Sequence, residues 1–186
     1  MTDAAEPAVT PAAAREAVAR AHVAIAEAVA ALRTGAARDE ILADFVPERR
    51  VLGLPRAARM TPVGRVWRLG VLLLDADGDA YGTGRVVRAE RQARRGITAE
   101  AVAEQRAYRA AAVKGGIAEG EAVNFGASRV DLGEVERDGA SGPLVLGDGG
   151  RDVFVRWSPT QPEALSPLER YLADRVELLV RPPEGS

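Results

Sequence analysis

The stretch Val66-Trp67-Arg68-Leu69-Gly70-Val71-Leu72-Leu73-Leu74-Asp75-Ala76-Asp77-Gly78-Asp79-Ala80-Tyr81-Gly82-Thr83-Gly84-Arg85-Val86-Val87-Arg88-Ala89 decides the fold class. Residues 66–74 are rich in β-formers, and Asp77-Gly78 is a dipeptide favoured in two-residue hairpin turns, where both positions need positive φ. Residues 81–89 then return as the partner strand. Alternation puts Trp67, Leu69, Val71 and Leu73 on one face, while Leu72 and Leu74 make the far end apolar on the other face too. A strand apolar on both sides is covered on both sides, so this hairpin is the expected centre of a sheet.

Outward from it, helices flank the sheet. Thr10 and Pro11 supply a cap and a first helical residue, and Val18, His22, Ile25, Val29 and Leu32 recur at helical spacing before Gly35. Residues 37–46 read as a second short helix with Ile41, Leu42 and Phe45 on one face, ended by Pro47. Residues 47–64 read as an irregular connection with a short strand at 51–54. Thr98 caps a middle helix, stapled by Ile97 on Val102, that runs to about Val113 and stops at Gly115-Gly116. Residues 122–130 form a candidate strand with Val123, Phe125 and Ala127 on one side. A second hairpin joins 144–146 to 153–157 around Asp148-Gly149-Gly150, with Val153, Val155 and Trp157 facing in. Ser166-Pro167-Leu168-Glu169 has the form of a capping box, and Leu168, Leu172, Val176 and Leu179 mark the last helix before Pro182-Pro183.

The expectation is an α+β fold: an antiparallel sheet of about five strands built from two hairpins, packed by an N-terminal, a middle and a C-terminal helix. Residues 1–10 read as a flexible tail and 11–181 as a single α+β domain. Of the 186 residues, 36 are Ala, 21 Val, 16 Leu and 4 Ile, so the core rests on 41 branched aliphatics and eight aromatics. The start is acidic with no apolar stretch behind it, and no window approaches the roughly 18–20 residues of a membrane span. A cytoplasmic protein without membrane partners is expected.

Scarcity bounds the chemistry. The chain has no cysteine and one histidine, His22, which removes disulfides, thiol nucleophiles, zinc sites of the Cys or His type and iron–sulfur clusters. His22 falls on the first helix's apolar stripe and reads as a packing or interface residue rather than a catalyst. Asp75-Ala76-Asp77-Gly78-Asp79 begins like a calcium loop, but the sixth and twelfth positions are Ala80 and Val86, so the turn glycine and the bidentate ligand are missing. Gly82-Thr83-Gly84 lacks the third glycine of a dinucleotide fingerprint and lies within an expected strand. No cofactor, metal or catalytic residue is expected.

Two surfaces remain as candidates. Formal net charge is −2, yet residues 48–95 hold eleven arginines against five acids, about +6, leaving about −8 elsewhere. Trp67, Arg68, Tyr81 and Arg85 could converge near the hairpin as an aromatic and cationic anion site. The arginines read mainly as a solvated face, because the chain has 24 Arg against one Lys, a bias of composition. No aromatic ladder interleaves with them, so nucleic acid is the weaker partner class. Val18, His22, Ile25 and Val29 are the candidate interface for a homo-oligomer through the first helix, although packing on the chain's own sheet reads as the stronger use.

The segments Gly64-Arg65-Val66-Trp67-Arg68-Leu69-Gly70-Val71-Leu72-Leu73, Gly115-Gly116-Ile117-Ala118-Glu119-Gly120-Glu121 and Pro167-Leu168-Glu169-Arg170-Tyr171-Leu172 resemble a family of small uncharacterised actinobacterial proteins, some members of which carry a glutaminase label. The resemblance covers most of the chain after residue 36 and transfers no site residue. It implies an amide hydrolase. The residues offer no Ser-x-x-Lys, since Ala111, Ala112 and Val113 precede Lys114, and no thiol. The expected function is therefore a non-catalytic binding or interaction module, with a glutaminase-like amide hydrolase as the alternative and anion or nucleic-acid binding by the arginine-rich middle as the third.

Overall fold

Thr10 accepts the Ala13 amide at 3.3 Å and Pro11 follows it, so the first helix, α1 (Pro11–Thr34), begins at its cap and first-turn proline and closes on Gly35. The computed structural model describes residues 10–51, 54–91, 100–158, 160–161 and 163–182. The expectations for residues 1–9, for Arg94 and Arg95, for the Ile97–Thr98 helix start and for Pro183 lie outside them.

After α1 come β1 (Glu40–Val46), β2 (Arg49–Val51), β3 (Leu54–Arg56), β4 (Arg59–Leu69), β5 (Leu72–Asp75), β6 (Ala80–Gly82) and β7 (Arg85–Arg88). Then follow α2 (Glu100–Lys114), β8 (Ala122–Phe125), β9 (Ser128–Val130) and α3 (Leu132–Asp138). The chain ends with β10 (Ala140–Ser141), β11 (Leu144–Gly147), β12 (Asp152–Arg156), β13 (Leu165–Pro167) and α4 (Leu168–Val180).

The class is α+β, but the main sheet is larger than expected and mixed. Seven strands lie in the order β7-β8-β1-β4-β5-β6-β9, with β1 and β8 parallel and the ladders β1–β4, β5–β6, β6–β9 and β7–β8 antiparallel. The second hairpin belongs to a separate four-stranded sheet, β10-β11-β12-β13, and β2 pairs with β3 alone. The expected helix over 37–46 is a strand. Ile41, Ala43 and Phe45 alternate onto the face that carries the core, and pairing on both sides to β4 and β8 overrides a spacing that also suited a helix turn.

Glycines cut the expected long strands. Gly70, at φ 66°, turns the chain between β4 and β5, so 66–74 is two strands. Residues 81–89 divide at Thr83-Gly84: β6 pairs with β5, and β7 pairs with β8. Residues 122–130 divide at Gly126 (φ 65°) into β8 and β9. The Ser166 capping box does not form. Ser166 pairs with Val155 in the sheet, and Pro167 occupies the cap position of α4 without a side-chain bond. Trp157, expected to face in, is 46% exposed, since β12 ends one residue before it.

Contacts group the described chain into two units. The first holds 10–38, 67–82 and 128–182. Here α1 buries Ala17, Val18, Ala21, Ile25, Val29 and Leu32 in one cluster with Leu69, Leu72, Leu74, Val135, Leu144, Val155, Leu168 and Leu172. The alanines let α1 approach closely, and the leucines provide the buried area, about 1.5–3 kcal/mol for each full side chain. Tyr171 closes this core: its hydroxyl donates to the Leu69 carbonyl at 2.8 Å and accepts from the Val71 amide at 2.9 Å, clamping the Gly70 turn.

The second unit holds 39–66 and 83–127. Its core is Ala43, Met60, Val87, Ala111, Ala112, Ile117, Val123 and Phe125, with the rings of Phe45, Tyr108 and Phe125 in contact at 4.9–6.1 Å between centroids. A Cβ at Gly115 would run into the Met60 backbone, so α2 ends where only glycine fits. Asn124 is fully buried and donates to a Glu40 carboxylate oxygen at 2.7 Å. No helix among the described residues is long and apolar enough to cross a membrane.

Candidate functional site

The hairpin β5–β6 of the first unit is a turn ordered by its own aspartates. Asp75 Oδ1 accepts the amides of Asp77 and Asp79, both at 2.9 Å, and its Oδ2 accepts the Tyr81 hydroxyl at 3.2 Å. A carboxylate bound to two amides and a phenol is turned into its own loop. Among the described residues no group of three His, Asp or Glu side chains could hold a metal ion. Burial, then the negative charge of Asp75, holds the Tyr81 phenol above its ordinary pKa.

Beside this turn lies a depression of about 470 Å³. Its polar rim is His22 from α1, Asp79 from the turn, Arg129 from β9 and Asp131 at the start of α3; its floor includes Ile25, Ala80, Val130 and Leu132. Register explains the convergence, because β9 pairs with β6 so that Arg129 faces Tyr81 and Val130 faces Ala80. Arg129 Nη2 donates to Asp79 Oδ1 at 2.6 Å. Asp131 Oδ1 accepts the Gly133 amide at 2.7 Å as the cap of α3. His22 is exposed, not packed: the buried stripe of α1 runs through Ala14, Ala17, Ala21, Ala24, Ala28 and Leu32, and residue 22 falls beside it. Of the ten residues lining the depression none is Ser, Thr, Cys or Lys.

The four residues expected to form an anion site have separate placements. Trp67 is buried, its indole donating to the Ala37 carbonyl at 3.1 Å. Tyr81 donates to Asp75, and Arg68 is half-buried on β4. Arg85 belongs to the second unit, where its guanidinium donates to Glu104 at 2.8 Å and to the Tyr108 hydroxyl at 2.9 Å and stacks 5.2 Å from that ring's centre. Those bonds raise the Arg85 pKa and lower that of Glu104. Around them is a smaller hollow of about 310 Å³ over Val86, Val87 and Phe125.

Three further arginines of the second unit are ion-paired locally: Arg65 with Asp39 at 2.6 Å, Arg91 with Glu119 at 3.2 Å and Arg109 with Glu90 at 2.8 Å. Of the expected interface residues, Val18, Ile25 and Val29 are buried in the first unit's own core, and only His22 faces out.

Arg129 lies in a three-residue strand and carries no sequence signal, whereas Asp131 stands three residues before Glu134, the spacing of a helix-capping pair, which is the signal that marks it. His22 was marked only by being the sole histidine. No family model matches this chain, and neither the curated proteins nor the solved structures contain a significant match to it.

Proposed function

We propose that the chain is a non-catalytic binding module whose ligand seat is the depression between His22, Asp79, Arg129 and Asp131. The observation that carries this reading is the Asp79–Arg129 pair, closed at 2.6 Å on the rim of a 470 Å³ hollow whose floor is apolar. Both signs of charge stand within one concavity, which suits a small zwitterion of the amino-acid class. The ligand carboxylate would take the free N–H groups of Arg129, its ammonium would take Asp131, and its side chain would cover Ile25 and Leu132. Asp131 caps α3 through Oδ1 and Asp79 holds Arg129 through Oδ1, so both acids are fixed in place and Asp131 Oδ2 is left for the ligand ammonium. The lining holds no hydroxyl, thiol or amine, and its two carboxylates are engaged by Arg129 and the Gly133 amide, so capture and release fits the hollow better than covalent chemistry.

Calorimetric titration of the full chain with L-glutamine, with glutamate release followed in the same samples, tests the reading. Saturable binding lost in Arg129→Gln, without glutamate release, supports a module. Release that scales with protein concentration and falls in His22→Ala establishes the amide-hydrolase alternative instead. The absence of any binding of L-glutamine, glycine or L-arginine removes the zwitterion seat.

A further inference from the structure

A second surface of the first unit, away from the His22 depression, is a groove of about 500 Å³ between α1 and α4. Its walls are Val23, Ala24, Ala28 and Ala31 of α1 and Leu172, Ala173 and Val176 of α4, and its rim is Arg20, Glu27 and Glu169. Val23 is 58% exposed there. An apolar side chain projecting beside small residues leaves a knob next to a hole, the pattern that a second helix completes. The groove lies on a different face of α1 from Val18, Ile25 and Val29, which its own core has already covered.

The charges identify the occupant. Glu27 has no ion-pair or hydrogen-bond partner among the described residues. Arg20 is held toward Asp152 at 3.1 Å and Glu16 at 3.5 Å, also donates to the Arg151 carbonyl, and remains 42% exposed. The two positions are seven residues apart, two helical turns on one face. When α1 crosses another α1 antiparallel with a two-fold axis between Val23 and Ala24, position 20 of each copy meets position 27 of the other, and Val23 meets Ala24. A two-fold interface must be self-complementary, and these positions are so, Arg20 against Glu27 in charge and Val23 against Ala24 in size. We propose that the α1–α4 groove is the homodimer interface of this protein, its occupant a second copy packed antiparallel on α1.

Sedimentation velocity of the full chain over a wide concentration range is the test, with each variant's fold checked by circular dichroism. The expected result is a reversible monomer–dimer equilibrium. Glu27→Arg, which places like charges at both symmetric contacts, should weaken the dimer by about tenfold or more. Val23→Glu should abolish it, and Arg20→Glu combined with Glu27→Arg should restore it at least in part. A wild-type chain that stays monomeric throughout overturns the proposal. So does a dimer indifferent to folded Glu27→Arg and Val23→Glu variants, or an assembly larger than a dimer.

Discussion

Replacing Tyr171 with Phe removes one oxygen from a buried ring and leaves two backbone groups without their partner. The hydroxyl donates to the Leu69 carbonyl at 2.8 Å and accepts the Val71 amide at 2.9 Å, on either side of the Gly70 turn. Tyr171 is only 5% exposed, so water does not replace the lost bonds freely. Each stranded group costs about 1–3 kcal/mol, so a combined loss of about 2–6 kcal/mol is expected. For a chain of this size that lowers the melting temperature by roughly 4–24 °C, read by calorimetry, with the free-energy loss itself read by urea titration. A second arm makes the test specific. A Cβ at Gly70 would strike the Tyr171 hydroxyl, and φ there is 66°. Gly70→Ala therefore suffers both a clash and about 1–2 kcal/mol of left-handed strain, and only the clash disappears in the Tyr171→Phe background. The two changes should be non-additive by about 0.5–3 kcal/mol, the double variant being less damaged than the sum. A Tyr171→Phe loss below about 0.5 kcal/mol, with strict additivity, would refute the clamp.

Three further outcomes follow from other parts of the fold. Gly115→Ala drives a methyl group into the Met60 backbone and should cost more than the roughly 1–3 kcal/mol typical of an overpacked core, measured by urea unfolding. The Tyr81 phenol should titrate above its ordinary value of 10.0, because burial and Asp75 favour the neutral form. Since the folded pKa is the raised one, this stability is complete below the unfolded value and drains away as pH climbs through the folded value. In an ultraviolet tyrosinate titration, Tyr81→Phe should delete that step and Asp75→Asn should move it only part of the way down, because burial persists. Leu32→Ala, at a fully buried position of α1, should cost about 2–5 kcal/mol by chemical denaturation.

Local signals were readable wherever the chain states them covalently. Thr10-Pro11 and Gly35 bound α1, Gly115-Gly116 ends α2, and the β11–β12 hairpin falls where 144–157 placed it. What stayed hidden depends on partners distant in sequence. Ile41, Leu42 and Phe45 suit a helix face as well as a strand, and only pairing with β4 and β8 decides. Gly70, Gly84 and Gly126 sit in runs that alternate like continuous strands, yet each marks a place where the chain changes ladder. Ser166 has the residue spacing of a cap and is used by the sheet because Val155 is its neighbour. The candidate site followed the same rule. Trp67 looked available but is needed by the core, whereas Arg129 reaches the rim only through the β6–β9 register. Self-association through Ile25 cannot be probed at Ile25 itself, since a charge there would unfold the unit that buries it.

The single histidine gives the most direct test of the ligand seat, because all imidazole resonances of the protein belong to His22. Carbon-13 imidazole spectra of the full chain, titrated with L-glutamine and with acetate and methylammonium as separate half-ligands, read the depression alone. The account predicts a saturable His22 shift with the zwitterion, weaker responses to either half, loss of the response in Arg129→Gln and no change in Arg85→Gln. An imidazole unmoved by every zwitterion tried, or moved equally in Arg129→Gln, would contradict it.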